Sequence, residues 1–209
     1  MMGIYCLILA SLLYLSGFII NKKIKYTFVL LFFTLSFISL QTFGIELANK
    51  SHSLALDLIS KYSLSLILYS FFSAPSYLCT LLSLYVIFKI LVRDFTPNKY
   101  ANILKYKINP LCFIVFVIFG LILFLGNLNL FIFDIYHANA INIAIFVFIF
   151  IASLYFIDRF CAILALIALF FSLDSNILVG LMCIYLWLFS VFYIFIKGFI
   201  FIKGKICKE

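Results

Sequence analysis

The chain has few of the residues that cover the surface of a soluble protein. Charged residues make up 11% of its 209 residues, only 7 of them are acidic, and it contains 8 glycines, 3 prolines and 1 tryptophan. Soluble proteins average about 25% charged and about 45–50% apolar residues, whereas this chain is 67% hydrophobic, with a mean hydropathy of +1.30. No soluble core could enclose so much apolar surface, so the composition predicts an integral membrane protein.

The catalytic motifs that are easiest to identify in a sequence are also missing. The chain has no glycine-rich phosphate loop, no H-E-x-x-H pair and no G-x-S-x-G turn, the best-defined signatures of nucleotide binding, zinc proteolysis and serine hydrolysis. The interiors of its apolar runs contain no Asp, Glu, Arg or Lys, on which proton and cation relays through a bilayer usually depend. These absences argue against an ion-coupled pump and leave an enzyme as a less favoured alternative.

Metal-ligating residues are few and scattered. His52 and His137 are the only histidines, and neither falls inside an apolar run, so a haem held between two buried histidines is not expected. No ligand spacing of a known metal site is present, and we predict no metal and no cofactor. The six cysteines lie far apart without a C-x-x-C pair, mostly in apolar runs where small buried hydrophobic residues are expected: Cys6, Cys79, Cys112, Cys161, Cys183 and Cys207.

Seven apolar runs are candidates for membrane spans. A bilayer core about 30 Å thick needs roughly 20 apolar residues of helix. No internal repeat or linker divides residues 1–209, so the predicted fold class is all-α: a single integral membrane domain, a polytopic transmembrane helix bundle with about seven spans. The runs cover residues 4–20, 26–43, 64–90, 111–133, 141–157, 160–173 and 177–196.

The basic residues indicate how these spans are oriented. Three follow the first span, five the third, one the fifth and four the seventh, whereas only Lys50 and Lys61 fall on the other side. Because cytoplasmic loops carry the excess of Lys and Arg, the N-terminus is predicted outside and the C-terminus in the cytoplasm. The bias toward Phe, Ile, Lys and Asn, typical of an AT-rich bacterial genome, favours the bacterial cytoplasmic (inner) membrane.

The sixth span is the shortest. Residues 160–173 would reach only about 21 Å as a helix, and Asp158 and Arg159 alone separate them from the fifth span. Merging the fifth and sixth spans would place the basic residues after the seventh span outside, against the charge rule. We therefore predict a tight cytoplasmic turn at these two residues. A re-entrant sixth segment would reduce the number of spans to six.

Two loops have enough length for structure of their own. In residues 46–62 apolar or small residues recur at helical spacing, which predicts an amphipathic helix on the outer interface. Residues 93–110 form a basic cytoplasmic loop. The net charge of +8 is assigned to lipid rather than nucleic acid, because the basic residues flank apolar runs. Contacts with anionic headgroups are predicted for Lys99, Lys105, Lys107, Lys203 and Lys205.

Hydroxyl side chains form the most organised polar pattern, on the third span. They recur at intervals of three and four residues and so share one helical face, with Pro75 in the middle. This face and Asn127 are a candidate substrate path. The alternative, which we favour, is a packing seam in which small side chains let helices approach closely. The stripe consists of Ser65, Tyr69, Ser73, Ser76, Thr80 and Ser83.

Asp134 and His137 are weak candidates for catalysis between the fourth and fifth spans. They lie three residues apart, and an imidazole beside a carboxylate can transfer protons near neutral pH. An ordinary polar turn that caps two helices explains the same residues and is the favoured interpretation.

Three functions are compatible with the sequence. The first is a non-catalytic component of a membrane assembly, whose partners are membrane lipids and other membrane subunits. The second is a small permease along the third-span hydroxyls, and the third is an intramembrane enzyme acting at the outer leaflet. We place the first ahead, since it requires no feature that the sequence lacks.

Overall fold

The computed structural model describes residues 2–19, 21–36, 63, 74–95, 107–128, 139–173 and 176–206. All regular structure in these ranges is helical, as the sequence predicts. A 3-10 turn, Ser16–Phe18, follows the first helix. The described residues form eight α-helices: α1 Met2–Leu15, α2 Lys22–Leu35, α3 Tyr77–Phe95, α4 Leu111–Asn127, α5 Ala140–Ile157, α6 Arg159–Phe171, α7 Ile177–Leu181 and α8 Ile184–Ile206.

The chain divides into two compact units, and α3 contributes to both of them. Unit 1 contains residues 1–75 and 82–105, and unit 2 contains residues 76–81 and 106–209. Among the described residues of unit 1, the buried core is formed by apolar side chains from α1, α2 and the second part of α3: Ala10, Leu13, Val29, Ile87 and Ile90.

Unit 2 is built on aromatic contacts between antiparallel helices. The Phe119 ring of α4 stacks on two rings of α5, with centroid distances of 4.7 Å to Phe146 and 4.0 Å to Phe150. Near the start of α4, the Phe113 ring lies 4.2 Å from that of Tyr193, in the middle of α8. Because offset and tilted ring pairs add to the burial of apolar area, these contacts explain how a Phe-rich sequence packs its helices.

A glycine allows α8 to lie directly against α4. A Cβ atom built on Gly120 would come within 2.3 Å of Trp187 Cδ1, so no larger residue fits there without movement of the indole ring. The same ring donates a hydrogen bond of 3.1 Å from Trp187 Nε1 to the carbonyl oxygen of Val117. Gly120 therefore fixes the closest approach between the two helices.

One helix within the described ranges, α5, is long and apolar enough to cross a membrane on its own. Only 17% of the residues in this helix are buried within the chain. Shorter apolar stretches occur at Gly3–Leu15, Leu111–Gly126, Arg159–Phe171 and Ile184–Phe199.

The helix break predicted between the fifth and sixth spans is present. Helix α5 ends at Ile157, α6 begins at Arg159, and Asp158 between them has an extended backbone. The Asp158 carboxylate caps α6, accepting hydrogen bonds from the backbone N–H groups of Phe160 and Cys161.

Two predicted spans differ from the helices observed. The third span was predicted to run without a break over residues 64–90, but residues 74–76 are not helical and α3 begins at Tyr77. Ser76 caps it by accepting a hydrogen bond of 3.1 Å from the Cys79 N–H. Proline lacks a donor and favours helix starts over helix interiors, which explains the later beginning.

The seventh span, predicted as one run over residues 177–196, is divided. The five-residue helix α7 ends at Leu181, Met182 is extended, and α8 begins at Ile184 and continues beyond the predicted end to Ile206. Gly180 packs closely on the end of α6, since a Cβ there would meet Ser172 Cβ at 2.2 Å. This close approach packs α7 against the end of α6.

Candidate functional site

The described residues include half of the predicted hydroxyl stripe. Ser76, Thr80 and Ser83 are described, and Asn127 is the last residue of α4. Lys107 is exposed, and Lys203 and Lys205 lie near the C-terminal end of α8. Predicted site residues and segments outside the described ranges are Ser65, Tyr69, Ser73, Lys99, Lys105, Asp134, His137 and the amphipathic segment 46–62.

Ser76 joins the start of α3 to the break between α7 and α8. Its buried hydroxyl donates to Cys183 Sγ over 3.4 Å, while Thr80 Oγ1 donates to the Ser76 carbonyl oxygen at 3.0 Å. Both hydroxyls thus have protein partners, which fits a packing seam. The same contact places Ser76 against the non-helical residues Met182 and Cys183, a feature that the sequence did not predict.

A second polar cluster surrounds the turn between α5 and α6. Asp158 is buried, and its Oδ2 accepts a hydrogen bond of 3.0 Å from the Asn109 N–H. The Asn109 side chain donates to the Ile157 carbonyl oxygen at 3.4 Å and accepts from the Leu111 N–H at 3.1 Å. Asn109 therefore links the start of α4 to this turn.

Two thiols complete this cluster. Cys112 on α4 and Cys161 on α6 are fully buried, and their Sγ atoms and an Asp158 oxygen all lie within 4.8 Å of one another. Within the part of the chain that the structure describes, they are the only group of three potential metal ligands. None of the five described cysteines forms a disulfide.

An open pocket of about 540 Å³ adjoins the cluster. Its lining includes Asp158 and Asn109 together with two basic residues, Lys107 and Arg159. Both basic side chains are exposed, so the pocket connects a buried carboxylate with a positively charged rim.

Unit 1 contains an ion pair at the start of α2. Asn21 caps this helix, whose first turn contains Lys22, Lys23 and Lys25 at the positive end of the helix dipole, where cations are unfavourable. Lys25 Nζ donates to Asp94 Oδ2 and forms an ion pair with it. Asp94 therefore offsets the unfavourable placement of the three lysines.

Asp94 is held by three further hydrogen bonds. Its Oδ2 also accepts from the Tyr26 hydroxyl at 3.1 Å, its Oδ1 accepts from Arg93 Nε at 3.2 Å, and its carbonyl oxygen accepts from Lys22 Nζ. Burial raises the pKa of Asp94, but the hydrogen bonds from Lys25, Arg93 and Tyr26 outweigh it and hold the pKa below 3.8. The carboxylate is therefore ionised at neutral pH.

Comparison with known protein families, curated proteins and solved structures finds no match. The assignment of function therefore depends on the residues of the chain itself.

Proposed function

We propose that the chain is a multi-span protein of the bacterial cytoplasmic membrane and a non-catalytic component of a membrane assembly. The observation that carries the proposal is the exposure of large apolar side chains: Phe148 and Phe156 on α5 are 72% and 86% exposed, and Phe195 on α8 is 73% exposed. Each Å² of such surface costs about 25 cal/mol in water. Lipid tails and neighbouring helices remove that cost.

Two polar contacts support the proposed orientation of seven spans, with the N-terminus outside. The Lys25–Asp94 ion pair joins the basic groups after the first and third spans. The Asn109–Asp158 hydrogen bond joins the loop before the fourth span to the turn after the fifth. Each contact connects two segments that the charge pattern assigns to the cytoplasm. At this surface Lys107 and Arg159, both exposed, are available to anionic lipid headgroups.

The role as a component follows from how the described residues use their polar groups. Helix α5 is apolar on all sides and yet little buried by its own chain, an arrangement expected of a span whose neighbours are lipids or other subunits. Two of the described hydroxyls of the third-span stripe, those of Ser76 and Thr80, form hydrogen bonds within the fold. Among the described residues, the exposed apolar side chains of α5 are therefore the surface that we propose contacts a partner.

Photo-crosslinking from this face tests the proposal. A benzoylphenylalanine at Phe148 is expected to give one discrete adduct in native membranes, with a protein that also co-purifies in a mild detergent at a fixed ratio. Phe150, in the same helix but only 3% exposed, is the matched control and should give no intermolecular adduct. Lipid adducts alone from Phe148, with a monodisperse single chain after purification, would contradict the assembly role.

A small permease is the second candidate, because the α7–α8 break lies against Ser76. Interrupted spans place unpaired backbone groups beside polar side chains and often form transport sites.

In proteoliposomes exposed to glycerol or urea, Thr80→Val is expected to slow osmotic swelling about tenfold, the effect of about 1.4 kcal/mol of lost hydrogen bonding. Thr34→Val, which removes an exposed hydroxyl bonded to its own helix, should not. Unchanged swelling with both Thr80→Val and Ser76→Leu at normal protein abundance would rule this candidate out.

A further inference from the structure

We propose that Cys112, Asp158 and Cys161 form a binding site for Zn²⁺. The inference goes beyond the proposed role as a membrane component and stands on the contacts within unit 2. The three residues come from the start of α4, the α5–α6 turn and the first turn of α6, so their proximity is a product of the fold and of no local sequence motif.

The geometry of the three ligand atoms is close to that of a zinc site. Zinc binds sulfur at about 2.3 Å and carboxylate oxygen at about 2.0–2.2 Å in tetrahedral sites, so neighbouring ligand atoms are about 3.5–3.8 Å apart. The two Sγ atoms and the Asp158 oxygen lie within 4.8 Å of one another. A contraction of about 1 Å, well within the reach of side-chain rotation, therefore closes them around one ion.

The carboxylate is positioned by the hydrogen bonds expected around a metal ligand. Asp158 Oδ1 accepts from the Phe160 N–H and Oδ2 from the Asn109 N–H, each at 3.0 Å. Oδ1 also accepts from the Cys161 N–H at 3.5 Å and so uses both lone-pair directions of a carboxylate oxygen. These bonds orient Asp158 and make Oδ2 the oxygen that would coordinate the ion. Asn109 also accepts from the N–H of Leu111, the residue before Cys112, and so ties one thiol to the same support.

The adjoining pocket supplies an entry path and charge compensation. Asp158 lies in its lining, so an ion and a water molecule as fourth ligand can arrive from that side. Two thiolates and one carboxylate carry three negative charges. A bound Zn²⁺ ion neutralises two of them and leaves a net charge of −1. Lys107 and Arg159 on the same pocket balance the remainder.

The donor set favours zinc over other outcomes. Two thiolates exclude Mg²⁺ and Ca²⁺, which prefer oxygen, and a hard carboxylate as third ligand is unsuited to Cu(I). A disulfide between the two cysteines would need no carboxylate beside it, and thiols at the proposed cytoplasmic end of the spans stay reduced. Zn²⁺, which accepts mixed sulfur and oxygen ligands in a tetrahedral site with one open position, fits all three groups.

Metal content of the full chain, purified in detergent under reducing conditions and dialysed against Zn²⁺, tests the site. One zinc ion per chain is expected in the wild-type protein. Cys112→Ser and Cys161→Ser should each weaken zinc binding at least about 100-fold, with the fluorescence of Trp187, the only tryptophan, as a check on folding. Cys79→Ser and Cys6→Ser are matched controls and should retain the ion.

Spectroscopy of the wild-type protein provides a second measurement that does not depend on the variants. Co²⁺ in place of Zn²⁺ should give thiolate charge-transfer absorption and the intense visible bands of a tetrahedral ion, and X-ray absorption should count two sulfur ligands. Absence of bound zinc, a Cys112–Cys161 disulfide in its place, or zinc retained by both serine variants would overturn the proposal. Both measurements are made on the purified chain alone. A negative result would therefore not affect the crosslinking test of the assembly role, which is made in native membranes.

Discussion

Lys25→Ala is expected to lower the free energy of unfolding by about 3 kcal/mol, because it leaves the Asp94 carboxylate without its buried cation in a site largely shielded from water. The side chains of Lys25 and Asp94 are only 4% and 11% exposed. Arg93 also contacts Asp94 but is 64% exposed, so it replaces little of the lost interaction. The measurement is an unfolding titration of the detergent-purified protein, followed by far-ultraviolet circular dichroism.

Lys23→Ala is the matched control for this prediction. Lys23 lies in the same helical turn and is exposed, so its replacement should change the free energy by less than about 0.5 kcal/mol. In the double variant Lys25→Met, Asp94→Leu much of the stability should return, since neither charge is then left unpaired. Equal effects of Lys25→Ala and Lys23→Ala would show that the ion pair contributes nothing.

The same pair gives the unfolding free energy a defined dependence on pH. The folded-state pKa of Asp94 lies below its ordinary value of 3.8, so the folded chain releases this proton more readily than the unfolded chain. The stabilisation is therefore fully present above about pH 4 and is lost as the pH falls through the folded-state pKa. In Lys25→Ala this loss at acid pH should be smaller, because the principal cation partner is absent.

Gly120→Ala is expected to destabilise the chain by about 3 kcal/mol, at the upper end of the cost of overpacking a core. The added methyl group would lie 2.3 Å from Trp187 Cδ1 and 2.9 Å from Cγ. Both atoms belong to the side of the indole ring that faces Gly120, so the ring must rotate or the two helices must separate to admit the methyl group. Trp187 fluorescence is a direct readout, since displacement of the indole also weakens its hydrogen bond to Val117.

Gly198→Ala separates this steric effect from the helix propensity of glycine. Gly198 also lies in a helix, but a Cβ there would have no atom within 4 Å. Alanine is the better helix former by about 1 kcal/mol, so this variant should be unchanged or slightly more stable. A loss of stability in Gly198→Ala as large as that in Gly120→Ala would contradict the assignment of the effect to the contact with Trp187.

The features that the sequence predicted are those encoded locally. Apolar runs of helical length gave the all-α class, and the charge pattern gave the break at Asp158, because both signals are contained in neighbouring residues. The division at Met182 was missed, since the run over residues 177–196 is apolar throughout, and the close packing of Gly180 on Ser172 next to the break involves residues of two different helical segments. A lone glycine in an apolar run gives no warning of such a contact.

The polar clusters could not be predicted for a related reason. Lys25 and Asp94 are 69 residues apart, and Cys112 and Cys161 lie on different helices. One sequence gives no information on which distant residues meet, so these thiols were expected to be ordinary buried hydrophobic residues. Three of the described cysteines are indeed buried. What the sequence did not reveal is that two of them share a site with a carboxylate.

Helix α6 is shorter than the hydrocarbon core of an average bilayer. Its 13 residues extend about 20 Å, against about 30 Å for an average hydrocarbon core. A bilayer adapts to a short span by thinning around it, at a cost of fractions of a kcal/mol for each Å of mismatch. For the membrane span that we propose at α6, the acyl-chain length of the surrounding lipid is therefore expected to affect the stability of the chain, and thin bilayers are expected to favour it.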